Sequence, residues 1–217
     1  VARRALHLNG VPSPVGYLGE LRLQAGNRAA VRALRAGYAQ LGDFVCGAAA
    51  CVTSVAADNA RARRVLERGG PLGLPRYEPL AELATPLVPV RPGDARRQPA
   101  VETADEALDE VTAFLADGAR DGQLTLPWSR DTWATLAAHG VAPSDVVVVR
   151  DRGALVAVAG VWDQRPFRQV HIAGYAGALR WGRPVVQLAA RLGLVPPLPP
   201  PGGVVAQGAV LAPTVAD

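Results

Sequence analysis

Apolar residues recur every three to four positions in some stretches of the chain and alternate with polar residues in others, so the sequence predicts both helices and strands. Helices are predicted at residues 29–41, 58–68, 104–115, 130–138 and 183–192. Strands are predicted at residues 17–23, 50–55, 146–150, 155–162, 170–175 and 209–215, with one or two more within 77–90. In the first half the order is strand, helix, strand, helix, which indicates an α/β fold.

Two of these elements have strong local signals. The run Asp151-Arg152-Gly153 lies between two β-branched segments, so residues 146–162 are expected to form a hairpin. Asp58 or Asn59 can cap the helix that precedes Gly69, because their side-chain oxygens accept hydrogen bonds from the first backbone N–H groups.

The sequence also contains a boundary signal. Residues 89–103 combine Pro, Gly and Arg without an apolar period, which is typical of a linker. We therefore expect one domain over residues 1–95 and another over 104–217, joined by residues 96–103. The proline-rich run at 196–203 is predicted to be a spacer, with partner binding in an extended form as the alternative.

Composition narrows the class of protein. Hydrophobic residues make up 49% and charged residues 19% of the 217, which is typical of a globular chain and not of a disordered one. No apolar run reaches the roughly 18 residues of a membrane span, and the first residues lack a signal-peptide core, so we expect a cytoplasmic protein with no membrane partner. Because methionine is absent, we expect an internal piece of a longer protein.

The net charge of +4 is unevenly distributed along the chain. Residues 1–100 contain 14 Arg and 7 acidic residues, whereas residues 101–217 contain 9 Arg and 12 acidic residues. The basic first part suits a small polyanionic ligand or nucleic acid. Aromatic residues make up 5% and none lies among the basic runs, so nucleic acid is not the expected partner.

A metal site is not predicted. Cys46 and Cys51 are the only cysteines, and His7, His139 and His171 are too scattered to complete a ligand set. The two thiols are expected to be buried or incidental.

The turn before the first predicted helix is a candidate anion site. Unpaired backbone N–H groups at a helix N-terminus converge with the positive end of the helix dipole, which favours a phosphate. Arg28 and Arg32 would flank this point. The alternative is an ordinary strand-to-helix connection with solvent-facing arginines.

Two segments resemble a known family. Residues 21–33, Leu-Arg-Leu-Gln-Ala-Gly-Asn-Arg-Ala-Ala-Val-Arg-Ala, resemble motif A of the GNAT superfamily of N-acetyltransferases, and Asp58-Asn59-x-x-Ala62-x-x-x-Leu66-x-x-Gly69 resembles its motif B. Residues 73–80 extend the resemblance to a bacterial subgroup with two GNAT-like modules per chain. The resemblance implies a mixed, mostly antiparallel sheet flanked by helices. It places the later half of one module in residues 1–95 and the opening half of a second in 104–217.

The resemblance also implies where acetyl-CoA would bind. The residues it assigns to the pyrophosphate and its surroundings are Leu23, Arg28, Ala29, Ala30, Val31, Arg32, Ala33 and Asn59. Val31 occupies the position of a glycine in active relatives, and Leu66 occupies that of a tyrosine thought to protonate the leaving thiolate. Asn59 has an alternative role as a helix cap.

Acetyl transfer needs a base for the amine and an acid for the thiolate. Glu20, beside the acetyl site that motif A implies, is the candidate base, with a strand-edge charge as its alternative role. Tyr77 is the candidate acid, with packing after the Gly-Leu-Pro turn as its alternative role. The polar run that starts at Trp162 marks either a cleft or a turn.

The expected function is transfer of an acetyl group from acetyl-CoA to an unidentified amine. The alternative, from a different class, is a non-catalytic GNAT-like module for ligand sensing or interaction, which Val31, Leu66 and the incomplete modules favour. Nucleic-acid binding through the basic first part is a third hypothesis. The sequence leaves a homo-oligomer open.

Overall fold

The structure, a computed structural model, describes residues 2–19, 28–70, 73–88 and 102–216. The strands of these ranges form one sheet of three strands and one of four. The chain divides into two compact units. Unit 1 contains Val1–Thr85 and Arg120–Pro127, and unit 2 contains Pro86–Ala119 and Trp128–Asp217.

Unit 1 opens with a hairpin that the sequence analysis did not predict. β1 (Ala2–Leu8) and β2 (Val11–Tyr17) pair in antiparallel fashion around Asn9-Gly10, whose φ angles are 52° and 76°. Two positive φ angles in a two-residue loop are typical of a type I′ turn, whose twist matches that of the flanking strands and which favours Asn followed by Gly.

The predicted strand at residues 17–23 is wrong over the residues that can be compared. Tyr17 is the last residue of β2, and Leu18 and Gly19 lie outside it. Residues 20–23 lie outside the described ranges. The hairpin accounts for the difference, because its turn fixes β2 nearer to the start of the chain than the predicted strand.

A strand, helix, strand, helix order follows from β2, as predicted. α1 (Arg28–Ala39) and the single turn α2 (Leu41–Phe44) lead to β3 (Ala50–Val52), which pairs with β2 in parallel. α3 (Ala60–Arg68) comes next, and Asn59 caps it as expected. β3 is shorter than predicted because the chain leaves the sheet after Val52.

The strands predicted within residues 77–90 are wrong for residues 77–88, which form no helix or strand. Pro79 and Pro86 have no N–H group to donate to a strand ladder. Leu80, Leu83 and Leu87 in this stretch are exposed. Residues 89 and 90 lie outside the described ranges.

The core of unit 1 is small. Its buried hydrophobic residues are Val15, Leu34, Leu66 and Leu74. His7 on β1 is also buried. Its backbone pairs with Arg120–Pro127, which we call the return segment of unit 1. The His7 N–H donates to the Thr125 carbonyl at 2.9 Å and the Leu124 N–H donates to the His7 carbonyl at 2.8 Å.

Unit 2 is built on a four-stranded antiparallel sheet in the order β4-β5-β6-β7. Its elements are β4 (Glu102–Thr103), a 3-10 turn (Ala104–Ala107), α4 (Leu108–Arg120, whose last residue belongs to unit 1), α5 (Arg130–Ala138), a 3-10 turn (Pro143–Asp145), β5 (Val146–Asp151), β6 (Ala154–Trp162), α6 (Ala178–Arg191) and β7 (Ala209–Val215).

The core of unit 2 is formed by α4, α5 and the residues of β5 and β6 that face them. The buried members are Ala104, Val111, Leu115, Trp133, Leu136, Val141, Val146, Val148 and Val158. The Trp133 indole N–H donates to the Thr112 hydroxyl at 2.8 Å, so this buried polar group is satisfied.

Several predicted bounds in unit 2 are confirmed and others are corrected. The hairpin of β5 and β6, helix α5 and strand β7 lie where they were predicted. α4 begins later because a 3-10 turn precedes it, and α6 begins five residues earlier and contains Pro184.

Two further predictions about unit 2 are wrong. Residues 170–175 form only an isolated bridge, between His171 and Val204. Glu102 and Thr103, predicted as linker, form β4, where they pair with Val148 and Val147. The rest of the predicted linker, through residue 101, lies outside the described ranges.

The fold is thus mixed α/β, with antiparallel sheets flanked by helices and one parallel pair in unit 1. Among the described residues, no helix combines the length and the apolar character needed to cross a membrane.

Candidate functional site

The candidate site is the edge of the unit 1 sheet where the parallel strands β2 and β3 end. Hydrogen bonds tie the two chain segments together just beyond the strands. The Leu18 N–H donates to the Val52 carbonyl at 2.9 Å, and the Thr53 hydroxyl donates to the Leu18 carbonyl at 2.6 Å. The hydroxyl groups of Tyr17 and Ser54 lie 2.8 Å apart. This edge therefore holds two chain segments and three hydroxyl groups in a fixed arrangement.

Two helices start after these strand ends. A helix that joins two parallel strands of one sheet runs back along them, so its N-terminus lies at their carboxyl edge. α1 joins β2 to β3 and begins at Arg28, and α3 follows β3 and begins at Ala60. The first N–H groups of each helix lack partners within the helix and carry partial positive charge. Such an edge favours an anionic ligand.

The residues predicted to hold the pyrophosphate are only partly described. Leu23 lies outside the described residues, and so do the side chains of Arg28, Ala30 and Val31, whose backbone is the first turn of α1. The other residues of α1 that were predicted to hold the pyrophosphate are Ala29, Arg32 and Ala33, and all three are exposed. An exposed start of α1 is what a phosphate site requires.

Asn59 performs one of its two predicted roles. Its side-chain oxygen accepts a hydrogen bond from the Ala62 N–H at 3.1 Å, which caps α3. A capping Asn satisfies one of the free N–H groups of the first turn. The contact supports the structural role, and the cofactor role stays a prediction.

Tyr77 is paired with a tyrosine that the sequence analysis did not single out for chemistry. The hydroxyl groups of Tyr77 and Tyr38 lie 2.7 Å apart, and their rings meet edge to face with centroids 6.3 Å apart. Burial raises the pKa of Tyr77 well above its usual range, and the hydrogen bond with Tyr38 and the nearby Cys51 act in the same direction. Tyr77 is therefore protonated at neutral pH but is a weaker acid than an exposed tyrosine.

The candidate base is not placed by the structure, since Glu20 lies outside the described residues. The polar run after β6 forms a turn. Asp163 accepts hydrogen bonds from the backbone N–H and the guanidinium of Arg165, and the ion pair is 2.6 Å long. The Arg165 side chain lowers the pKa of Asp163 to about 2. This local pair accounts for both charges without a ligand.

The two cysteines were expected to be buried or incidental, and the structure contradicts burial. Cys46 and Cys51 are free thiols and both are exposed. Within the described ranges, no group of three or more His, Cys, Asp or Glu side chains is arranged to hold a metal ion.

The sequence analysis missed the hydroxyl groups of Tyr17, Thr53 and Ser54 at the strand ends. The signal that could have located them is Asn9-Gly10, because a hairpin centred there makes Tyr17 the end of a strand and not its beginning. Comparison with family models, curated proteins and solved structures gave no significant match.

Proposed function

We propose that unit 1 binds the pyrophosphate of acetyl-CoA at the carboxyl edge of β2 and β3, and that the protein is a GNAT-type N-acetyltransferase acting on an amine. The observation that carries the proposal is the parallel pairing of β2 and β3 with α1 between them. A helix between two parallel strands starts at their carboxyl edge, which supports an anion site at the N-terminus of α1, in the segment that resembles motif A; α3 follows β3 in the segment that resembles motif B.

For acetyl transfer the protein must position the two substrates and provide groups that accept and donate protons. Acetyl-CoA supplies an activated thioester, while the acceptor nitrogen must lose a proton and the sulfur must gain one. Glu20 is the proposed base because motif A places it beside the acetyl group. Tyr77 is the proposed acid because it is protonated at neutral pH, and its raised pKa makes it a slower proton donor than an exposed tyrosine. Backbone N–H groups near the strand ends would polarise the carbonyl.

A second candidate is a non-catalytic module that binds the same ligand. The Tyr38–Tyr77 hydrogen bond favours it when Tyr77 is the donor, because its proton then points to the Tyr38 oxygen 2.7 Å away and must leave it to reach a thiolate. Both candidates share the anion site, so binding and turnover must be measured separately.

Binding is tested by thermal unfolding of the whole protein with and without acetyl-CoA. Ligand at about one hundred times its dissociation constant should stabilise the folded state by about 2.7 kcal/mol. Arg28→Ala should reduce the shift, whereas Arg76→Ala, an exposed arginine well beyond α3, should leave it unchanged. No shift in the folded parent protein would contradict the proposal.

Asn59 needs two variants because it also caps α3. Asn59→Ala removes both the cap and the amide, and the lost cap alone costs about 1 kcal/mol. Asn59→Asp keeps an oxygen that can cap but removes the amide donor and adds a negative charge. If Asn59 contacts the phosphates, Asn59→Asp should abolish the acetyl-CoA shift while the protein remains folded. An undiminished shift would assign Asn59 to capping alone.

Turnover is tested by following free thiol after addition of acetyl-CoA and a panel of primary amines. The exposed thiols of Cys46 and Cys51 also react with thiol reagents, so the assay uses a Cys46→Ser/Cys51→Ser background. Amine-dependent thiol release that falls in Tyr77→Phe supports the enzyme. Acetyl-CoA binding with no release for any amine supports the non-catalytic module.

A further inference from the structure

Helix α6 carries an apolar stripe that the described part of the chain leaves uncovered. The stripe consists of Trp181, Val185, Leu188 and Leu192, which are spaced four, three and four residues apart. This spacing places them on one side of the helix, with Leu192 as its C-cap. Their exposed fractions are 79%, 71%, 58% and 69%. Exposed apolar residues are ordinary when scattered, but a continuous exposed stripe marks an interaction site.

The opposite side of α6 fixes the helix to its own unit. The Gln187 side chain donates a hydrogen bond to the Leu198 carbonyl, and the Arg183 guanidinium lies 5.9 Å from the centroid of the Tyr175 ring. The Tyr175 hydroxyl in turn donates to the Pro199 carbonyl at 2.7 Å. These contacts hold α6 against the proline-rich loop, so the stripe faces outward because of how the helix is anchored.

The stretch of chain that contains α6 is basic. Residues 164–216 contain neither Asp nor Glu but five arginines, of which Arg165 is already paired with Asp163 just before this range. Two of them, Arg180 and Arg191, lie on the same flank of the stripe. The Arg180 guanidinium is 5.4 Å from the centroid of the Trp181 ring, so a cation and the largest apolar side chain of the stripe share one location.

We propose that α6 docks this protein on the surface of an anionic lipid bilayer. A helix with Trp and Leu on one side and Arg beside them lies in the plane of the headgroups, with apolar side chains in the acyl boundary and arginines on the phosphates. Its 14 residues span about 21 Å along the surface. The lack of a spanning segment predicted no membrane partner, but a helix that lies on a bilayer surface needs no spanning segment.

Charge favours a bilayer over a second copy of the chain. Two copies packed stripe to stripe would bring together two sets of arginines with no acidic residue of the same region to pair with them. An anionic bilayer supplies negative charge beside an apolar phase, which matches both features of α6.

The test is cosedimentation of the whole protein with vesicles of phosphatidylcholine containing phosphatidylserine at about 30 mol per cent, compared with phosphatidylcholine alone. We expect binding to the anionic vesicles that weakens steeply as salt screens the arginines. Leu188→Gln should lower the partition coefficient about tenfold, because one buried Leu side chain is lost from the acyl boundary. Leu83→Gln, which changes an even more exposed leucine in unit 1, should leave it unchanged.

A second measurement locates one side chain of the stripe directly, through its own fluorescence. Brominated lipids quench a tryptophan that enters the acyl region, so the parent protein should lose fluorescence on anionic vesicles and Trp181→Phe should lose much less. Absence of binding, equal binding by Leu188→Gln, or quenching that survives Trp181→Phe would overturn the proposal. A dimer in solution that Leu188→Gln dissociates would also overturn it, in favour of a second copy.

Discussion

At the scale of single residues, the pair of Tyr38 and Tyr77 shows what local sequence can and cannot predict. Tyr77 was a candidate acid, with packing after the turn as its alternative role, and Tyr38 was not singled out. They are 39 residues apart, and their hydrogen bond depends on how the segment after α3 returns to α1. By contrast, the Asn59 cap was predictable because it joins residues three positions apart.

The raised pKa of Tyr77 predicts a loss of stability in alkali. The unfolded chain releases the Tyr77 proton near pH 10, whereas the folded protein retains it, so the free energy of unfolding should fall as pH rises above about 10. In Tyr77→Phe this fall should be smaller, and stability at pH 7 should drop by about 1 kcal/mol from the lost hydrogen bond. Urea unfolding between pH 7 and pH 11 measures both effects.

Tyr38→Phe provides the matched comparison. It keeps the Tyr77 hydroxyl but removes its partner, so its alkaline dependence should lie between those of the parent protein and Tyr77→Phe. An alkaline slope in Tyr77→Phe equal to that of the parent would show that Tyr77 is not the group responsible.

At the scale of elements, the two hairpins present the same turn with different sequences. Asn9-Gly10 joins β1 to β2 and Arg152-Gly153 joins β5 to β6, and all four φ angles are positive. Asn tolerates this left-handed conformation, whereas an Arg at the first position is strained. The second hairpin forms despite its turn, because Val146, Val148 and Val158 are buried against the helices.

The difference predicts opposite effects for reciprocal substitutions. Arg152→Asn should stabilise unit 2, and Asn9→Arg should destabilise unit 1, each by about 1 kcal/mol.

All four tryptophans, at positions 128, 133, 162 and 181, belong to unit 2, so tryptophan fluorescence during unfolding reports that unit. Three of the four tyrosines, Tyr17, Tyr38 and Tyr77, belong to unit 1, so the tyrosine signal follows mainly that unit, while circular dichroism reports both units together. A lower stability of Arg152→Asn would contradict the prediction. It would show that the Arg152 side chain stabilises unit 2 by more than its strained backbone destabilises it.

Elements with a complete local signal were predicted well, and those that depend on distant partners were not. α5 and β7 match because caps and alternation define their ends. Residues 77–88 were predicted as strand from their composition, yet a strand also needs a neighbour that accepts its hydrogen bonds. The short strand β4 was missed because two residues, Glu102 and Thr103, are too few to show an alternating pattern, although Thr favours strands; their pairing with β5 defines the strand.

At the scale of the whole molecule, the two units are not two consecutive stretches of sequence. Unit 1 consists of Val1–Thr85 and the later segment Arg120–Pro127, which separates two parts of unit 2. Sequence analysis cannot find such an arrangement from composition, because the return segment pairs with β1 through backbone groups that any residue provides.

This arrangement predicts coupled protection of two amides far apart in sequence. The His7 N–H and the Leu124 N–H belong to one pair of hydrogen bonds, so in native-state hydrogen exchange they should open together with similar free energies. Amide exchange followed by NMR measures both sites. Fast exchange at Leu124 with slow exchange at His7 would show that the return segment detaches while β1 stays folded.

The return segment also has a consequence for synthesis on the ribosome. A domain made of one continuous stretch can fold as soon as that stretch has left the exit tunnel, and domains generally fold as units during translation. Here β1 is made early, but the residues that cover its outer edge follow about 115 residues later, which at roughly 5–20 residues per second is a delay of several seconds or more. Throughout that interval β1 presents an unpaired strand edge, the feature that other nascent chains and chaperones recognise.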